Sequence, residues 1–574
     1  MFTLFPIRMH LSTTLVLFGV GLLLSGLARA QSKAQPVHPN ILWLTTEDMS
    51  AQLGAYGDPV ARTPNVDRLA SEGIRFTNVY GVYGVCAPNR SALITGLYPA
   101  SYGAQHMRNY RRTSALHMID DPELLNIPTY EAVPPPDVRA FSELLRIHGY
   151  YTTNNSKEDY QFMTPKTFWD ESSDDAHWRN RPDPDMPFFS VFNFTITHES
   201  QVWKREGESL ITNPADVDVP PYYPDTPIVR RDIARNYDNI ALMDEQVGEI
   251  LAQLEEDGLV EETIIFFFSD HGSGLPRAKR WVYDSGLHVP LIVRFPHVER
   301  AGSVDERLIS FVDFAPTVLS LAGVPVPEYL PGVVFLGPDA GEERSYVYAA
   351  RDRMDPALDT RRAVRDKRFK YIRNYKPERP YIQFLPYRDQ MALMQEILKL
   401  DEAGELDSTR HWQLMLDEKP LQELYDTWED PHEINNLAAD PTYEDKLLEL
   451  RAEQERHFNA IDDTGLIPDV VLKNMLYPPH GEQPTTAAPE IVAEAADGGS
   501  VVRLHSATPG ASIGYRIGDD ATWRVYHRPI YLADGDTLTA VAHRIGYKPS
   551  NDRDFVSPRA SSFGNDPRPL GNRP

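Results

Sequence analysis

This chain has almost no cysteine and carries no net positive charge. Cys86 is the single cysteine among 574 residues, so no internal disulfide can form. A chain of this length buries a large core and does not need one. Lys and Arg number 57 against 83 Asp and Glu, a formal net charge of -26. This charge excludes a general affinity for nucleic acid, so any anionic ligand must be bound by a local cluster of positive side chains.

Long apolar segments are also scarce, and the clearest one lies near the start of the chain. Arg8 precedes an apolar stretch over residues 11–24, and Ala28-Arg29-Ala30 follows it. A basic residue, a short apolar stretch and small residues in this order predict a signal peptide over residues 1–30. The stretch is too short for a membrane-spanning helix. We therefore expect an exported protein, periplasmic or extracellular, with no membrane span.

Beyond this segment, short apolar runs alternate with helical patterns. The runs cover residues 41–44, 188–194, 263–268 and 290–295. Residues 232–257 carry apolar side chains at helical spacing, and Gly258 follows as a stop signal. Strands that alternate with helices predict an α/β fold with a mainly parallel sheet, in which ligands bind beyond the carboxyl ends of the strands. Glu47 and Asp48 stand at such an end, after the first run.

The composition changes in the second half of the chain. Residues 361–373 are rich in basic side chains, and charged and apolar residues alternate around Phe369 and Tyr371. This pattern favours a sheet with one solvated charged face over a polyanion-binding strip. Residues 476–486 are rich in Pro and Thr and predict a linker. Short β-like runs over residues 487–555 predict a small all-β module, with packing a more plausible role for it than sugar binding. Residues 556–574 have the composition of a disordered tail.

The residues that follow Cys86 are more informative than the low cysteine content of the chain. A lone cysteine usually packs as a small hydrophobe. Here Pro88, Arg90 and Thr95-Gly96 follow it in the pattern C-x-P-x-R-x-x-x-x-T-G. This pattern resembles the signature of the type I sulfatases, in which the cysteine is oxidised to formylglycine by a formylglycine-generating enzyme during maturation. The resemblance extends over about residues 38–470.

The resemblance implies a fold and a function. The fold is an alkaline-phosphatase-like core with a mainly parallel sheet and helices on both faces (residues 31–345), followed by a smaller C-terminal α+β subdomain (residues 346–475). The all-β module resembles a β-sandwich appended to some such enzymes. The implied function is that of a secreted sulfatase, which hydrolyses sulfate esters or sulfamates on sulfated polysaccharides or their oligosaccharides.

The resemblance also implies a Ca²⁺ site at two strand ends. Its ligands would be Glu47, Asp48, the modified Cys86, Asp270 and His271. Ca²⁺ prefers oxygen ligands, and imidazole is a poor partner for it, so Asp48 and Asp270 are the stronger candidates. Glu47 departs from the aspartate that is usual in the family.

Catalytic roles follow from the same comparison. Arg90, Lys157 and Lys279 match the cations that bind the sulfuryl oxygens, and His198 matches a histidine beside the leaving group. In the implied mechanism a hydroxyl of the hydrated aldehyde attacks sulfur, and His198 or Lys279 protonates the leaving group. The second hydroxyl then loses its proton and expels sulfate. Asp159 stands where the family usually has a histidine that assists this deprotonation, so Asp159 or another group must take over that role.

The substrate is less well defined by the sequence. Segments around His106, Arg108, Arg351 and Arg353 resemble those of bacterial sulfatases related to heparan N-sulfatase. These four residues are candidates for recognition of a sulfated uronic-acid polysaccharide.

Two alternatives to a sulfatase remain. A phosphonate or phosphodiester hydrolase shares the fold and the aldehyde. A catalytically degenerate carbohydrate-binding protein would account for the unusual Glu47, Asn89 and Asp159.

Overall fold

The computed structural model describes residues 38–109 and 122–559. These residues belong to one compact unit. The predicted signal peptide and the residues of the predicted tail from 560 onward lie outside the described residues. Within the described part of the chain, no helix is long and apolar enough to cross a membrane.

The described residues form three β regions and a set of surrounding helices. The strands are β1 Asn40–Thr46, β2 Ile74–Tyr80, β3 Tyr151–Asn155, β4 Glu171–Ser172, β5 Phe188–Phe194, β6 Thr263–Ser269, β7 His288–Arg294, β8 Ser303–Ser310, β9 Val347–Arg351, β10 Arg361–Arg365, β11 Phe369–Asn374, β12 Gln422–Asp426, β13 Glu490–Ala496, β14 Gly499–His505, β15 Ser512–Ile517, β16 Arg524–Val525, β17 Ile530–Ala533, β18 Thr537–His543 and β19 Arg553–Val556. The α-helices are α1 Pro64–Glu72, α2 Cys86–Thr95, α3 Pro122–Leu125, α4 Phe141–Ile147, α5 Ser200–Lys204, α6 Pro227–Glu256, α7 Asp284–Leu287, α8 Phe314–Leu321, α9 Ala392–Glu402, α10 Trp412–Met415, α11 Glu444–Ala460 and α12 Asp469–Leu476.

The central sheet has eight strands in the order β4-β3-β5-β1-β6-β7-β2-β8. β1 lies between β5 and β6 and runs parallel to both. β7 runs antiparallel to β6 and to β2, while β2 and β8 are parallel. The prediction of a mainly parallel α/β sheet is confirmed. All seven residues of β1 are buried, as expected for a strand covered on both faces.

Successive side chains of β1 face opposite sides of the sheet, and helices cover both sides. Trp43 packs in a cluster with α4 and α8, whereas Leu42 and Leu44 pack in another cluster with α6. The long helix α6 begins several residues before the predicted start because Thr226 caps it: its hydroxyl accepts a hydrogen bond from the N–H of Val229, and Pro227 occupies the first turn.

A second sheet of four antiparallel strands has the order β12-β11-β10-β9. The prediction of a solvated charged face on this sheet is wrong, because the arginines of β10 and Lys370 of β11 are buried against carboxylates. Among these ion pairs are those of Arg361 with Asp359, Arg362 with Asp463 and Lys370 with Glu433. Alternation of charged and apolar residues cannot distinguish solvent from a buried counter-ion supplied by a distant segment.

The C-terminal β region consists of the sheets β13-β14-β17 and β16-β15-β18-β19. Side chains from both sheets share one buried cluster that includes Val502, Leu532 and Leu538. Hydrogen bonds fix this region to the rest of the unit. The hydroxyl of Ser512 donates to the carboxylate of Glu143 in α4 at 2.7 Å.

Candidate active site

The ends of two neighbouring strands bring acidic residues together. Thr46 of β1 pairs with Ser269 of β6, so the residues that follow these strands, Asp48 and Asp270 among them, emerge side by side. The N–H of Asp48 donates to Oδ1 of Asp270 at 3.2 Å. Cys86 is the first residue of α2 and lies against this pair. The Sγ atom of Cys86 is 3.9 Å from Oδ1 of Asp48.

His271 lies at the centre of this group. Its Nε2 is 2.8 Å from Oδ1 of Asp48 and 3.4 Å from Sγ of Cys86. The side chains of all these residues are buried. Burial lowers the pKa of His271, but the carboxylates of Asp270 and Asp48 outweigh it and raise the pKa to about 10.

Two overlapping groups of side chains have the composition of a cation site. Asp48, Cys86, Asp270 and His271 each offer a ligand atom, and these atoms lie within 4.8 Å of one another. A ligand atom from each of Glu47, Asp48 and His198 meets the same limit. The carboxylate oxygens of two strand ends fit a hard cation such as Ca²⁺, and Asp48 and Asp270 are the best suited of the set.

Each predicted cation of the site is paired with one of these acids. Lys157 Nζ lies 2.5 Å from Oε1 of Glu47. Lys279 Nζ lies 2.6 Å from Oδ2 of Asp48, and Arg90 Nε lies 3.0 Å from Oδ2 of Asp270.

Because Asp48 and Asp270 lie against Cys86 and His271, these pairs bring three cations to the same site. Arg90 also donates to the side-chain oxygen of Asn193 at 2.7 Å, which fixes its guanidinium on a second side.

His198 and Lys279 differ in the charge they carry. His198 is partly buried, and its Nδ1 lies 2.9 Å from the hydroxyl of Ser200. Burial and the neighbouring Lys279 lower the pKa of His198. Burial also lowers the pKa of Lys279, but the charge of Asp48 outweighs it and the pKa is raised. Lys279 is therefore the protonated member of the two at neutral pH.

Asp159 lies beside Lys157 in an open cleft. The cleft has a volume of about 460 Å³ and is also lined by Arg108, Ser156 and Glu158. Asp159 adopts a left-handed backbone conformation with φ of 54°. The structure therefore brings Asp159 to the cleft that leads from Lys157, together with Arg108, whose side chain is 41% exposed.

The other three candidates for sugar recognition are buried. Nε2 of His106 lies 3.3 Å from Oδ1 of Asp469, and Nη2 of Arg353 lies 3.5 Å from the same oxygen. Arg351 is 3.6 Å from Asp359. Burial lowers the pKa of His106 to about 3, so its imidazole is neutral at neutral pH. These side chains are held in buried contacts with carboxylates, unlike Arg108.

The contacts made by two further side chains of the site, Glu199 and Asn89, were not anticipated from the sequence. Glu199 binds Arg280 with both carboxylate oxygens, at 2.6 and 2.8 Å, and its Oε1 lies 3.1 Å from Nζ of Lys279. Its N–H donates to Oδ2 of Asp48 at 2.7 Å. The sequence did offer one indication of these two residues, because each directly follows a predicted site residue: Glu199 follows His198, and Arg280 follows Lys279.

The second of these side chains is the buried one of Asn89, one turn after Cys86. Its Oδ1 accepts hydrogen bonds from the N–H groups of Val82 and Tyr83 at 3.0 and 2.8 Å. Its Nδ2 donates to the carbonyls of Tyr83 and Asp270 at 2.5 and 2.8 Å. Asn89 thus ties the chain before Cys86 to the end of β6.

Comparisons with known proteins show the family to which this chain belongs. The sulfatase family model matches residues 39–324, and the model described as N-sulphoglucosamine sulphohydrolase, C-terminal, matches residues 277–409. A protein of Formosa agariphila named ulvan-active sulfatase is 46% identical over 555 residues, which cover 90% of this chain and 91% of that protein. Human N-sulphoglucosamine sulphohydrolase is 26% identical over 505 residues, which cover 80% and 96%.

Among solved structures, one of BT4656 in complex with its substrate D-glucosamine-2-N,6-O-disulfate has a TM-score of 0.52 and 19% identity, covering 75% of this chain and 99% of that one. At this identity the likeness supports the fold alone.

Proposed function

Since this chain belongs to the sulfatase family and is a sulfuric ester hydrolase, we propose that it removes sulfate from ulvan or a similar sulfated uronic-acid polysaccharide. The 46% identity to an ulvan-active sulfatase over 90% of the chain supports this substrate class. We propose that the protein acts outside the cytoplasm, in the periplasm or beyond, after removal of residues 1–30.

We propose that a formylglycine-generating enzyme converts Cys86 to formylglycine. The convergence of Cys86, Asp48 and Asp270 at the ends of two strands is the observation that carries this proposal. The aldehyde, once hydrated, supplies a nucleophilic hydroxyl that a thiol does not. Ca²⁺ held by Asp48 and Asp270, with Glu47, residue 86 and His271 as further candidates, would polarise the sulfuryl oxygens.

The remaining residues would bind the sulfuryl group and move protons. Arg90 and Lys157 present fixed positive charge to the sulfuryl oxygens, which stabilises the charge that develops during transfer. Lys279 is protonated and can donate to the leaving oxygen. His198 is neutral, so it is suited to accept a hydrogen bond from a group beside that oxygen.

We propose two kinds of role for the residues around this centre. Asp159, which lines the open cleft with Lys157, would accept a proton in the step that releases sulfate. Arg108 would bind an anionic group of the sugar chain in the same cleft. His106, Arg351 and Arg353, which are buried, would support sugar recognition indirectly, through the segments that carry them.

The test begins with protein co-produced with a formylglycine-generating enzyme. Mass spectrometry of the peptide that contains residue 86 should show the aldehyde, and the protein should release sulfate from ulvan oligosaccharides. Cys86→Ala should fold with an unchanged melting temperature and release none. An unmodified thiol under these conditions would contradict the formylglycine proposal.

A phosphodiester substrate measured in parallel addresses the other hydrolase of this fold. We expect slower turnover of the phosphodiester than of the sulfate ester. Faster phosphodiester cleavage by the same preparation would overturn the assignment of the substrate class.

A further inference from the structure

The segment between β11 and α9 places an aromatic ring against His198. The rings of Tyr387 and His198 lie 6.0 Å apart, centroid to centroid, in an edge-to-face arrangement. Tyr387 also meets the indole of Trp203 edge-to-face at 5.2 Å. Trp203 belongs to α5, which begins two residues after His198. Two aromatic rings from distant parts of the sequence therefore meet on one side of His198.

These contacts do not bury Tyr387. The residue is 37% exposed, so its ring keeps open surface next to His198. Pockets for organic ligands are lined by aromatic side chains with a few placed polar groups. An open aromatic ring beside the polar groups of the site has this character.

The position of Tyr387 is fixed by the residue that follows it. Arg388 is buried, and its guanidinium contacts one carboxylate oxygen of Asp389 at 2.6 and 2.8 Å. It also donates to the backbone carbonyl of Gln383 at 2.9 Å, so the two ends of the segment from Gln383 to Arg388 are joined by a hydrogen bond. A ring carried on such an anchored segment loses little conformational freedom when a ligand covers it.

We propose that Tyr387 and Trp203 form a stacking wall for the pyranose ring that carries the sulfate. The inference rests on the proposed function. In this arrangement the sulfur would lie at residue 86 with its bridging oxygen toward His198, and the sugar ring would extend past His198 toward Tyr387, whose ring contacts the imidazole. The C–H face of a pyranose is apolar, and an aromatic ring can cover it without competing for the sugar hydroxyls.

The experiment measures binding of the sugar separately from chemistry. Desulfated ulvan oligosaccharides are titrated calorimetrically into the mature wild type and into Tyr387→Phe, Tyr387→Ala and Trp203→Leu. Tyr531→Ala is the matched control, because Tyr531 is a tyrosine 54% exposed on β17, in the C-terminal β region. Sulfate release from the sulfated oligosaccharides is measured on the same preparations.

We expect Tyr387→Ala to weaken the Kd about fivefold or more, and Tyr387→Phe and Tyr531→Ala to bind as the wild type does. Trp203→Leu should weaken binding as well, and it serves as the test if Tyr387→Ala does not fold. A wild-type Kd in Tyr387→Ala would contradict the proposed stacking wall. This would hold even if kcat fell, because the ring would then affect turnover only through His198.

The two proposals fail in different ways. Wild-type protein that releases sulfate, together with unchanged affinity in Tyr387→Ala, contradicts the wall alone. Wild-type protein that neither binds nor desulfates ulvan oligosaccharides contradicts the proposed substrate, and the stacking wall with it.

Discussion

The carboxylate of Glu199 binds the guanidinium of Arg280 through both oxygens, at 2.6 and 2.8 Å. The same carboxylate lies 3.1 Å from Nζ of Lys279, which is itself 2.6 Å from Asp48. Lys279 is therefore held between two carboxylates, one on each side. The loop after β5 and the loop after β6 are joined at this point.

Removal of the Glu199 charge should impair both folding stability and turnover. Glu199→Gln leaves the buried Arg280 without its counter-ion, which costs about 3 kcal/mol, and leaves Lys279 with one carboxylate. We expect a lower melting temperature and a fall in kcat larger than the change in KM. The double variant Glu199→Gln with Arg280→Met should regain stability, measured by thermal unfolding, but not kcat. Wild-type kcat in the double variant would show that Glu199 does no more than neutralise Arg280.

Asn89 should be a strong determinant of stability. Its side chain satisfies two backbone N–H groups and two carbonyls around Cys86. Asn89→Ala leaves these buried groups without partners, at a cost of about 3 kcal/mol or more. Chemical denaturation should show a lower free energy of unfolding with an unchanged m-value. A variant as stable as the wild type would mean that water replaces the amide.

Metal binding should stabilise the folded state through Asp48 and Asp270. EDTA should abolish sulfate release by the mature protein, and Ca²⁺ should restore it. Free Ca²⁺ at about one hundred times its Kd adds about 2.7 kcal/mol to the free energy of unfolding, so the melting temperature should rise. The rise should disappear in Asp270→Asn and persist in the control Asp216→Asn, which changes an exposed aspartate. An equal rise in both variants would place the ion elsewhere.

Acid should destabilise the protein through His457. Its imidazole is buried and stacks on the ring of Tyr348 at 3.5 Å. Burial, followed by the charges of Arg456 and Arg344, lowers the pKa of His457 to about 3. In the unfolded chain a histidine titrates near pH 6.5, so below that pH the unfolded state binds a proton that the folded state does not. Stability falls as the pH drops from 6.5 toward 3, by about 2 kcal/mol at pH 5.

This effect is checked by thermal unfolding at pH 7 and pH 5. The drop in melting temperature should be smaller for His457→Phe, which keeps an aromatic ring against Tyr348, than for the wild type. His480→Gln, at an exposed position, should behave as the wild type does. The same drop in His457→Phe and wild type would assign the acid sensitivity to other groups.

The sequence by itself determined the α/β class and the strand ends that carry the acids. Continuous apolar runs mark buried strands, and the residues after them emerge at one edge of a parallel sheet, so Glu47, Asp48 and Asp270 could be located without coordinates. The run from Cys86 to Gly96 identified the family because its fixed residues are close in the chain. The helix α6 was predicted with an error at its start, where the cap of Thr226 and Pro227 decides the boundary.

The tertiary structure decided which charges meet. Glu199 and Arg280 are 81 positions apart, and Tyr387, from the segment between β11 and α9, contacts His198, which follows β5. No local sequence pattern predicts either contact. Arg361 lies in a segment where charged and apolar residues alternate, a pattern typical of a strand with one solvated face. Its side chain is nevertheless buried against Asp359. Periodicity reports which side chains share a face, whereas the burial of a charge depends on a counter-ion whose position is set by the packing of the whole chain.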